Sequence, residues 1–537
     1  MTKATEMARV SARGGFNLLW GLVLSTVISA VGTIAITYIL GAEKYGLYSI
    51  ALIAPTLIST FRDWGVNSAM IKYSAQYNAE NNAKIRSIFI SGLVFEIILG
   101  LSLSLLSFGL SPLLALSLHR PTIVPLIQIA SLFILSGALV NTATAAFTGM
   151  ETMHLYSFML IIQSTAKTAL IVALVLLGFG TLGAVTGFTT ASLFAGLAGI
   201  LLMWTMYKSL PKSTNSKIEI FATIKTMLKY GLPVSIGTII SGFLTVFYSY
   251  ILAFYVTNNV TIGNYNLAIN FSVLITFFAT PVTTMLFPAF SKLDYKKDNE
   301  TLKNVFQYSV KYASLIVLPV TAIVIALAQP GIGTIYQSRY AEAPLFLALF
   351  SISYFYTAFG NLSIGNLLNG QGFTKFNMKL SLLTVAIGFP TGFLLISHFG
   401  VIGLIVASLT VGLPSLLISL RFIKKHFGVS VDWVSSAKIL FSSAITAILT
   451  YILISQLANK HLVVDSLNVA FSNPIRLVIG VIAFVVIFIA ATLGTRTINR
   501  VDLINLREII NVLGPLRKPL RFLLNIIEKL MTILHTK

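Results

Sequence analysis

Residues 87–112 read SIFISGLVFEIILGLSLSLLSFGLSP, a stretch of twenty-six residues in which Glu96 is the single charged side chain. An α-helix of about 20 apolar residues is long enough to cross a hydrocarbon core of about 30 Å. Lys84 and Arg86 stand just before the stretch, and the next basic residue after it is Arg120. The stretch therefore predicts a membrane-spanning helix that starts on the side of the membrane richer in basic residues.

The same pattern recurs along the whole chain of 537 residues, which is 56% hydrophobic and only 10% charged. Soluble domains are not built with so few charges, and the sequence lacks the short alternating segments of a membrane β-barrel. We therefore predict an all-α polytopic membrane protein with fourteen transmembrane helices. The predicted helices lie near residues 14–40, 46–71, 87–112, 122–148, 154–178, 182–207, 228–255, 262–290, 304–329, 344–368, 376–397, 401–421, 437–457 and 475–495.

The distribution of the 37 Lys and Arg residues predicts the orientation of the chain. Successive gaps between the helices face opposite sides of the membrane, and 29 basic residues fall on the side of the N-terminus. Because basic residues accumulate in cytoplasmic loops, we expect both the N- and C-termini in the cytoplasm, with the protein in the cell membrane. The same excess explains the net charge of +21 without nucleic acid as a partner. The opposite side has five basic residues, namely Lys44, Arg120, Arg339, Lys460 and Arg476.

The first half of the chain is repeated in the second half. A shift of 217 residues places Gly46, Tyr48 and Ala51 on Gly263, Tyr265 and Ala268. Six helices per repeat is an even number, so we predict two lobes related by a pseudo-twofold axis along the membrane normal. The predicted domains are an N-lobe at 1–210, a C-lobe at 211–430, two extra C-terminal helices at 431–496 and a tail at 497–537. The tail is basic and amphipathic, which favours a position on anionic lipid at the cytoplasmic surface.

Five ionisable residues lie well inside the predicted helices: Arg62, Asp63, Glu96, Lys167 and Lys311. Each costs about 2.5–3.5 kcal/mol or more at the centre of a membrane helix, so each needs a partner or water. Counted at 1.5 Å per residue, all five lie about 12–20 Å from the cytoplasmic ends of their helices. We expect them to line one cavity that opens to the cytoplasm.

Polar residues near these charges extend the candidate site to Asn67, Asn141, Gln163 and Gln307. Two readings of the charges stay open. In one, Arg62 pairs with Asp63, or Glu96 neutralises Lys167, and the pairs only hold helices together. In the other, three cations against two anions leave a positive charge for an anionic ligand, and arginine suits phosphate through its planar fork of donors. None of the five charges recurs in the second repeat, which favours a ligand site on a symmetric frame.

Several chemistries have no motif in the sequence. There is no phosphate-binding loop of the ATPase type, no cysteine, and no histidine spacing that suits a metal. We therefore predict no cofactor, no metal and no enzymatic activity. Asn259-Val260-Thr261 lies in a predicted outer loop and matches a glycan acceptor site, although a chance match is the simpler reading.

Three segments resemble the opening two helices of polysaccharide (O-antigen-type) flippases, which belong to the multidrug/oligosaccharidyl-lipid/polysaccharide exporter superfamily. They are residues 40–48, LGAEKYGLY, residues 61–69, FRDWGVNSA, and residues 72–75, KYSA. The resemblance implies transfer of a polyprenyl (pyro)phosphate-linked oligosaccharide from the cytoplasmic to the outer leaflet. It also implies that Arg62 holds the phosphate. Lys167 and Lys311 join Arg62 through their predicted depth alone.

The expected partners are the lipid-linked oligosaccharide, membrane lipids, and glycosyltransferases or a polymerase of the same pathway. Two other functions remain as alternatives. One is a cation-coupled multidrug exporter of the same superfamily, which would favour an anionic cavity. The other is a membrane polymerase or ligase of glycans, which would favour a large outer loop with acidic or arginine residues.

Overall fold

The computed structural model describes residues 3–79, 84–210, 219–458, 461–464, 467–470 and 472–497. It also describes the single positions 502, 503, 507, 521, 525, 528 and 529. Most of the predicted amphipathic tail, including most of its apolar run at 522–534, lies outside the described residues.

The described chain is almost entirely helical. The helices up to residue 291 are α1 (Lys3–Ser59), α2 (Val66–Ala79), α3 (Lys84–Ser117), α4 (Val124–Gly149), α5 (Met153–Leu174), α6 (Gly180–Ser209), α7 (Ile220–Tyr255), α8 (Asn259–Phe271) and α9 (Val273–Ser291). The later helices are α10 (Asn299–Ala326), α11 (Ala328–Tyr336), α12 (Ala343–Ser351), α13 (Asn361–Gly370), α14 (Thr374–Thr410), α15 (Leu413–Phe427), α16 (Trp433–Ala458) and α17 (Asn473–Gly494). Between α16 and α17 an antiparallel hairpin pairs β1 (His461–Val464) with β2 (Leu467–Ala470), where the sequence predicts only an outer loop.

Ten helices within the described ranges are long and apolar enough to cross a membrane. The number rises to eleven if the pair Ala343–Phe359 and Asn361–Gly370, which is bent by 50°, forms one span. The prediction of a polytopic, helical membrane protein is therefore confirmed.

Three of the long helical stretches contain a glycine with positive φ where the sequence predicts a turn. In α1 this residue is Gly41, with φ of 71°, and in α14 it is Gly400, with φ of 55°. Between α5 and α6 a short π-helical segment at Val175–Phe179 contains Gly178, with φ of 92°. Residues with a Cβ rarely adopt this conformation, so each glycine marks a break in the helix.

The predicted helix at 46–71 is not continuous. Its helical structure stops at Ser59 and resumes at Val66, and Gly65 has φ of 82°. A Cβ on Gly65 would collide with the backbone of Gly231 in α7, and a Cβ on Gly231 would collide with the backbone of Gly65. The backbones at Gly65 and Gly231 therefore lie closer together than side chains would allow. Hydrophobic periodicity in the sequence does not predict such a contact.

The chain forms two compact units. The first contains residues 1–266 and 385–404, and the second contains residues 267–384 and 405–537. In the first unit, α2, α3, α4, α6 and α7 share a buried core around Met70, Phe89, Phe147, Met203 and Met227. In the second unit, a core around Phe290, Phe306, Leu367 and Phe427 joins α9, α10, α13 and α15. The domain boundaries proposed from the repeat stay a prediction.

Candidate functional site

Arg62 lies in the non-helical turn between α1 and α2. The carboxylate of Asp63 accepts a hydrogen bond from the backbone N–H of Gly65 at 2.8 Å, which closes the turn. The indole N–H of Trp64 donates to the carbonyl oxygen of Phe61 at 2.8 Å. This turn leaves Trp64 exposed and places Arg62 in the interior, where only 7% of the residue is exposed.

The Arg62 guanidinium contacts both α3 and α4. Its Nη1 donates to the carbonyl oxygen of Ile134 at 3.2 Å, and its Nε lies 3.5 Å from Oε2 of Glu96. Gly137 makes room for the group, because a Cβ at that position would lie 2.5 Å from Nη1. Helix α4 thus supplies both an acceptor and a gap for the arginine.

Glu96 connects the arginine to α2. It is fully buried, and its Oε1 accepts a hydrogen bond from Nδ2 of Asn67 at 2.8 Å. In the described part of the chain, Arg62 Nε, Glu96 Oε2 and Asn67 Oδ1 are buried atoms without a hydrogen-bond partner. Buried polar atoms are usually satisfied, so this network retains bonding capacity that a ligand could use.

A cavity of about 420 Å³ lies beside this network in the first unit. This volume falls in the range typical of small-molecule sites, about 300–1,000 Å³. Among the described residues that line it, Asp63 is the one with a charge. The lining consists of Asp63, Asn67, Ser68, Ile71, Asn141, Thr144, Ala145, Thr148, Met153 and Tyr156.

The structure thus brings five of the predicted residues together in the first unit. Asp63, Asn67 and Asn141 line the cavity, while Arg62 and Glu96 lie behind it and join it through Asn67. Glu96 pairs with Arg62, and not with Lys167 as one reading of the sequence proposed. Sequence reasoning missed Gly137, whose importance lies in the space that it leaves for a side chain from another helix.

Lys167 and Gln163 also belong to the first unit, on α5. Lys167 is half-buried, and its Nζ lies 4.9 Å from the ring centroid of Phe188 in α6. Within the described ranges, Lys167 has neither an ion pair nor a hydrogen bond. A cation near an aromatic face gains less than a full ion pair provides, so this ammonium retains capacity for an anion.

Lys311 and Gln307 lie in the second unit, on α10. Nζ of Lys311 is 2.7 Å from Oδ2 of Asp502, a residue that is only 1% exposed. The amide of Gln307 donates to the carbonyl oxygen of Ser430 at 3.2 Å. Asp502 belongs to the predicted surface tail at 497–537, so its position in the sequence does not indicate a pairing with a buried cation.

Comparison with solved structures defines the class of protein. The lipid II flippase MurJ, in an inward closed conformation, matches with a TM-score of 0.69 and 16% identity over 89% of this chain and 98% of that chain. An inward-facing multidrug resistance transporter of the MATE family, in the MOP superfamily, matches with a TM-score of 0.53 and 15% identity over 76% and 94%. The chain therefore has the fold of the multi-pass membrane transporters of that superfamily.

Sequence comparison then gives the family. Residues 35–345 match the family described as polysaccharide biosynthesis protein, and the chain belongs to that family. An uncharacterized membrane protein of Methanocaldococcus jannaschii is 23% identical over 404 residues, which cover 72% of this chain and 92% of the relative. A second one is 22% identical over 380 residues, covering 67% and 73%. The resemblance to polysaccharide flippases and the location in the cell membrane are confirmed.

Proposed function

We propose that this protein is a flippase that moves a polyprenyl (pyro)phosphate-linked oligosaccharide from the cytoplasmic to the outer leaflet by alternating access. The observation that carries the proposal is the buried Arg62–Glu96–Asn67 network beside a cavity lined by amides and hydroxyls. Membership of a polysaccharide biosynthesis family and a fold shared with a lipid flippase support the same substrate class. In this proposal the chain transports its substrate and performs no chemistry on it.

The proposed topology has fourteen spans, with both termini in the cytoplasm. Support comes from Gly41, Gly178 and Gly400, which break three of the long helical stretches at the predicted turns. Dividing those stretches, and taking the bent pair as one span, raises the ten apolar helices to fourteen. The lobes would then be residues 1–210 and 211–430, followed by two additional spans.

Arg62 is the proposed phosphate-binding residue nearest the cavity. Its Nε lies 3.5 Å from Glu96, longer than the 2.7–2.9 Å of a strong charge-assisted hydrogen bond. A phosphate offers an arginine two well-placed acceptor oxygens, so exchange of Glu96 for phosphate would improve its bonding. Glu96 and Asp63 would adjust the charge of the site or carry a coupling ion.

The two lysines would take the remaining phosphate contacts. Lys167 is the more available, because within the described residues its ammonium contacts the ring of Phe188 and forms no ion pair. Lys311 would first have to release Asp502, which holds it at 2.7 Å. Asn67, Asn141, Gln163 and Gln307 would bind sugar hydroxyls, and Asn67 and Asn141 already belong to the cavity lining. Glycosyltransferases or a polymerase of the same pathway would supply or consume the substrate.

A cation-coupled multidrug exporter is the second candidate. It is favoured by one observation, the carboxylate of Asp63 as the charged group of the cavity lining. An anionic cavity suits cationic drugs, whereas a phosphate substrate requires the cations behind it. The two functions therefore make opposite demands on Arg62.

Reconstitution in lipid vesicles distinguishes the flippase from the multidrug exporter. Purified protein in lipid vesicles is given a fluorescent polyprenyl-phosphate oligosaccharide, and transfer between leaflets is scored by quenching from outside. We expect Arg62→Ala to abolish transfer and Arg62→Lys to retain part of it, with each variant still in the membrane. The exposed Arg339 provides the control variant Arg339→Ala, which should transfer normally. Normal transfer by Arg62→Ala would refute the role of Arg62, and efflux of a cationic dye without lipid transfer would favour the exporter.

A further inference from the structure

In the first unit, equivalent positions of the two sequence repeats meet in a close backbone contact. A shift of 217 residues places Ala42 on Asn259 and Gly46 on Gly263. A Cβ on Gly46 would collide with the carbonyl oxygen of Asn259, and a Cβ on Gly263 would collide with the carbonyl oxygen of Ala42. Contacts of this reciprocal kind are the signature of a two-fold axis. The pseudo-twofold axis of the repeats therefore passes between Gly46 in α1 and Gly263 in α8.

Close to this contact, Arg120 connects the end of α3 to the segment between α7 and α8. It lies between α3 and α4 and is only 7% exposed. Its Nε donates to Oδ1 of Asn259 at 2.8 Å. Each of its terminal nitrogens donates twice: Nη1 to the carbonyl oxygens of Leu118 and Ala253, both at 2.7 Å, and Nη2 to those of Val256 at 2.8 Å and Thr257 at 2.9 Å. A guanidinium has five N–H donors, and all five are used here.

Four of these five acceptors lie at the end of α7, in the link between α7 and α8, and at the start of α8, all in the second repeat of the sequence. A further polar contact joins the repeats nearby, since the hydroxyls of Ser117 and Tyr250 are 2.6 Å apart. Asn259 is also the first residue of the glycan-acceptor pattern at 259–261. In this structure its side chain accepts a hydrogen bond from Arg120, so it takes part in a contact within the protein.

We propose that Arg120 is the latch of a gate that closes the outer face of the transporter between the two repeats. The proposal rests on the proposed alternating access and topology, in which this end of the helices faces outward and the repeats must part there. The chemistry of the latch suits a reversible contact. Water can replace carbonyl and hydroxyl partners at small net cost, whereas separating packed apolar side chains exposes them to water.

The first test locks the gate. Because the chain has no cysteine, introduced cysteines are the only thiols present. We expect a reversible thiol cross-linker to stop lipid transfer in the variant Ser117→Cys/Tyr250→Cys, and a reductant to restore it. The matched control is Ser107→Cys/Ser131→Cys, whose hydroxyl oxygens lie 2.7 Å apart within the first repeat. Cross-linking the control should leave transfer unchanged, because α3 and α4 move together.

The second test loosens the gate and needs no substrate. Thr144→Cys in the cavity wall reports access through its rate of reaction with a membrane-impermeant maleimide added from outside. We expect Arg120→Lys to raise that rate tenfold or more, which corresponds to about 1.4 kcal/mol. Asn259→Ala removes one acceptor and provides a milder variant if Arg120→Lys folds poorly. Arg339→Ala should leave the rate unchanged.

The outcomes separate the latch from the transport function. If cross-linked Ser117→Cys/Tyr250→Cys transfers lipid at the normal rate, Arg120 is a permanent structural contact and the latch is refuted while the flippase function stands. If labelling rises from the outside but no variant transfers lipid, the gate is supported and the proposed substrate fails. Faster labelling from the cytoplasmic side would overturn the assigned sidedness and the outer gate with it.

Discussion

The Arg62–Glu96 pair makes the most discriminating prediction, since it separates a structural ion pair from a ligand site. At 3.5 Å and an effective dielectric constant of about 20, the Coulomb attraction between the two charges is about 5 kcal/mol. Desolvation of both groups offsets much of this. The variant Glu96→Gln removes the charge and leaves the 7%-exposed guanidinium without its ion-pair partner. We expect that variant to lose about 3 kcal/mol or more of unfolding free energy.

The complementary variant Arg62→Met leaves a buried carboxylate unpaired and should lose a similar amount. The double variant Arg62→Met/Glu96→Gln contains no buried charge in the network. Because replacing both members of a buried pair is often nearly neutral, we expect it to lie within about 1 kcal/mol of the wild type. The coupling energy of this double-mutant cycle should therefore exceed about 3 kcal/mol.

Unfolding in mixed micelles can be followed by tryptophan fluorescence, because Trp64 lies two residues from Arg62. Lipid transfer by the double variant then decides the function. A stable double variant that transfers no lipid-linked oligosaccharide assigns Arg62 to the substrate. Normal transfer would show that the pair only holds α3 and α4 to the turn, and additive stability losses would refute the coupling itself.

Three further predictions concern other parts of the chain. Gly65→Ala should destabilise the protein by about 1–2 kcal/mol because Gly65 has a positive φ, and by a further amount because the new Cβ would overlap α7. Gly109→Ala is the control and should not destabilise the protein, because Gly109 has open space around it. Thermal unfolding measures both variants. Asp502→Asn should cost about 3 kcal/mol or more, because Lys311 loses its carboxylate, and if Lys311 binds phosphate the same variant should lower the KM for the lipid substrate. Burial raises the pKa of Asp432, but hydrogen bonds from Ser435 and the backbone, together with the charge of Lys311, outweigh burial and lower the pKa overall. The carboxylate therefore stabilises the fold above its ordinary pKa of 3.8, and this stabilisation disappears as the pH falls through the lowered pKa. Asp432→Asn should therefore reduce the melting temperature at neutral pH and have little effect in acid.

The helical architecture was predictable from residues such as those at 87–112. A lipid-facing helix must be apolar along its whole length, and the stretch at 87–112 lies inside α3 at Lys84–Ser117. The places where helices are interrupted were predictable only in part. Gly41 and Gly400 stand between apolar runs and mark turns, whereas the break at 60–65 depends on Gly65 meeting Gly231. That contact is long-range, so local hydrophobicity holds no trace of it.

The candidate site shows the same limit. Asp63 and Asn67 are four residues apart within the predicted helix at 46–71, a spacing that places both on one helix face. Both line the cavity, although no helix connects them in the structure. Partners were harder to predict than positions. Asp502 lies 191 positions from Lys311 along the chain, so local sequence does not predict their pairing. The cost of burying a lysine explains why it needs a carboxylate partner, but the fold determines which carboxylate that is.

In the proposed alternating access, the buried charges link substrate binding to the conformational change. Arg62 is bonded to α3 through Glu96 and to α4 through Ile134, so it ties the turn before α2 to both helices. A phosphate that captured the guanidinium would release Glu96, whose other bond goes to Asn67 on α2. A ligand shifts an equilibrium only by its differential affinity for the two states. In this site the difference would arise from exchanging a 3.5 Å ion pair for a bidentate phosphate, so the binding step and the loosening of α2 from α3 would be the same event.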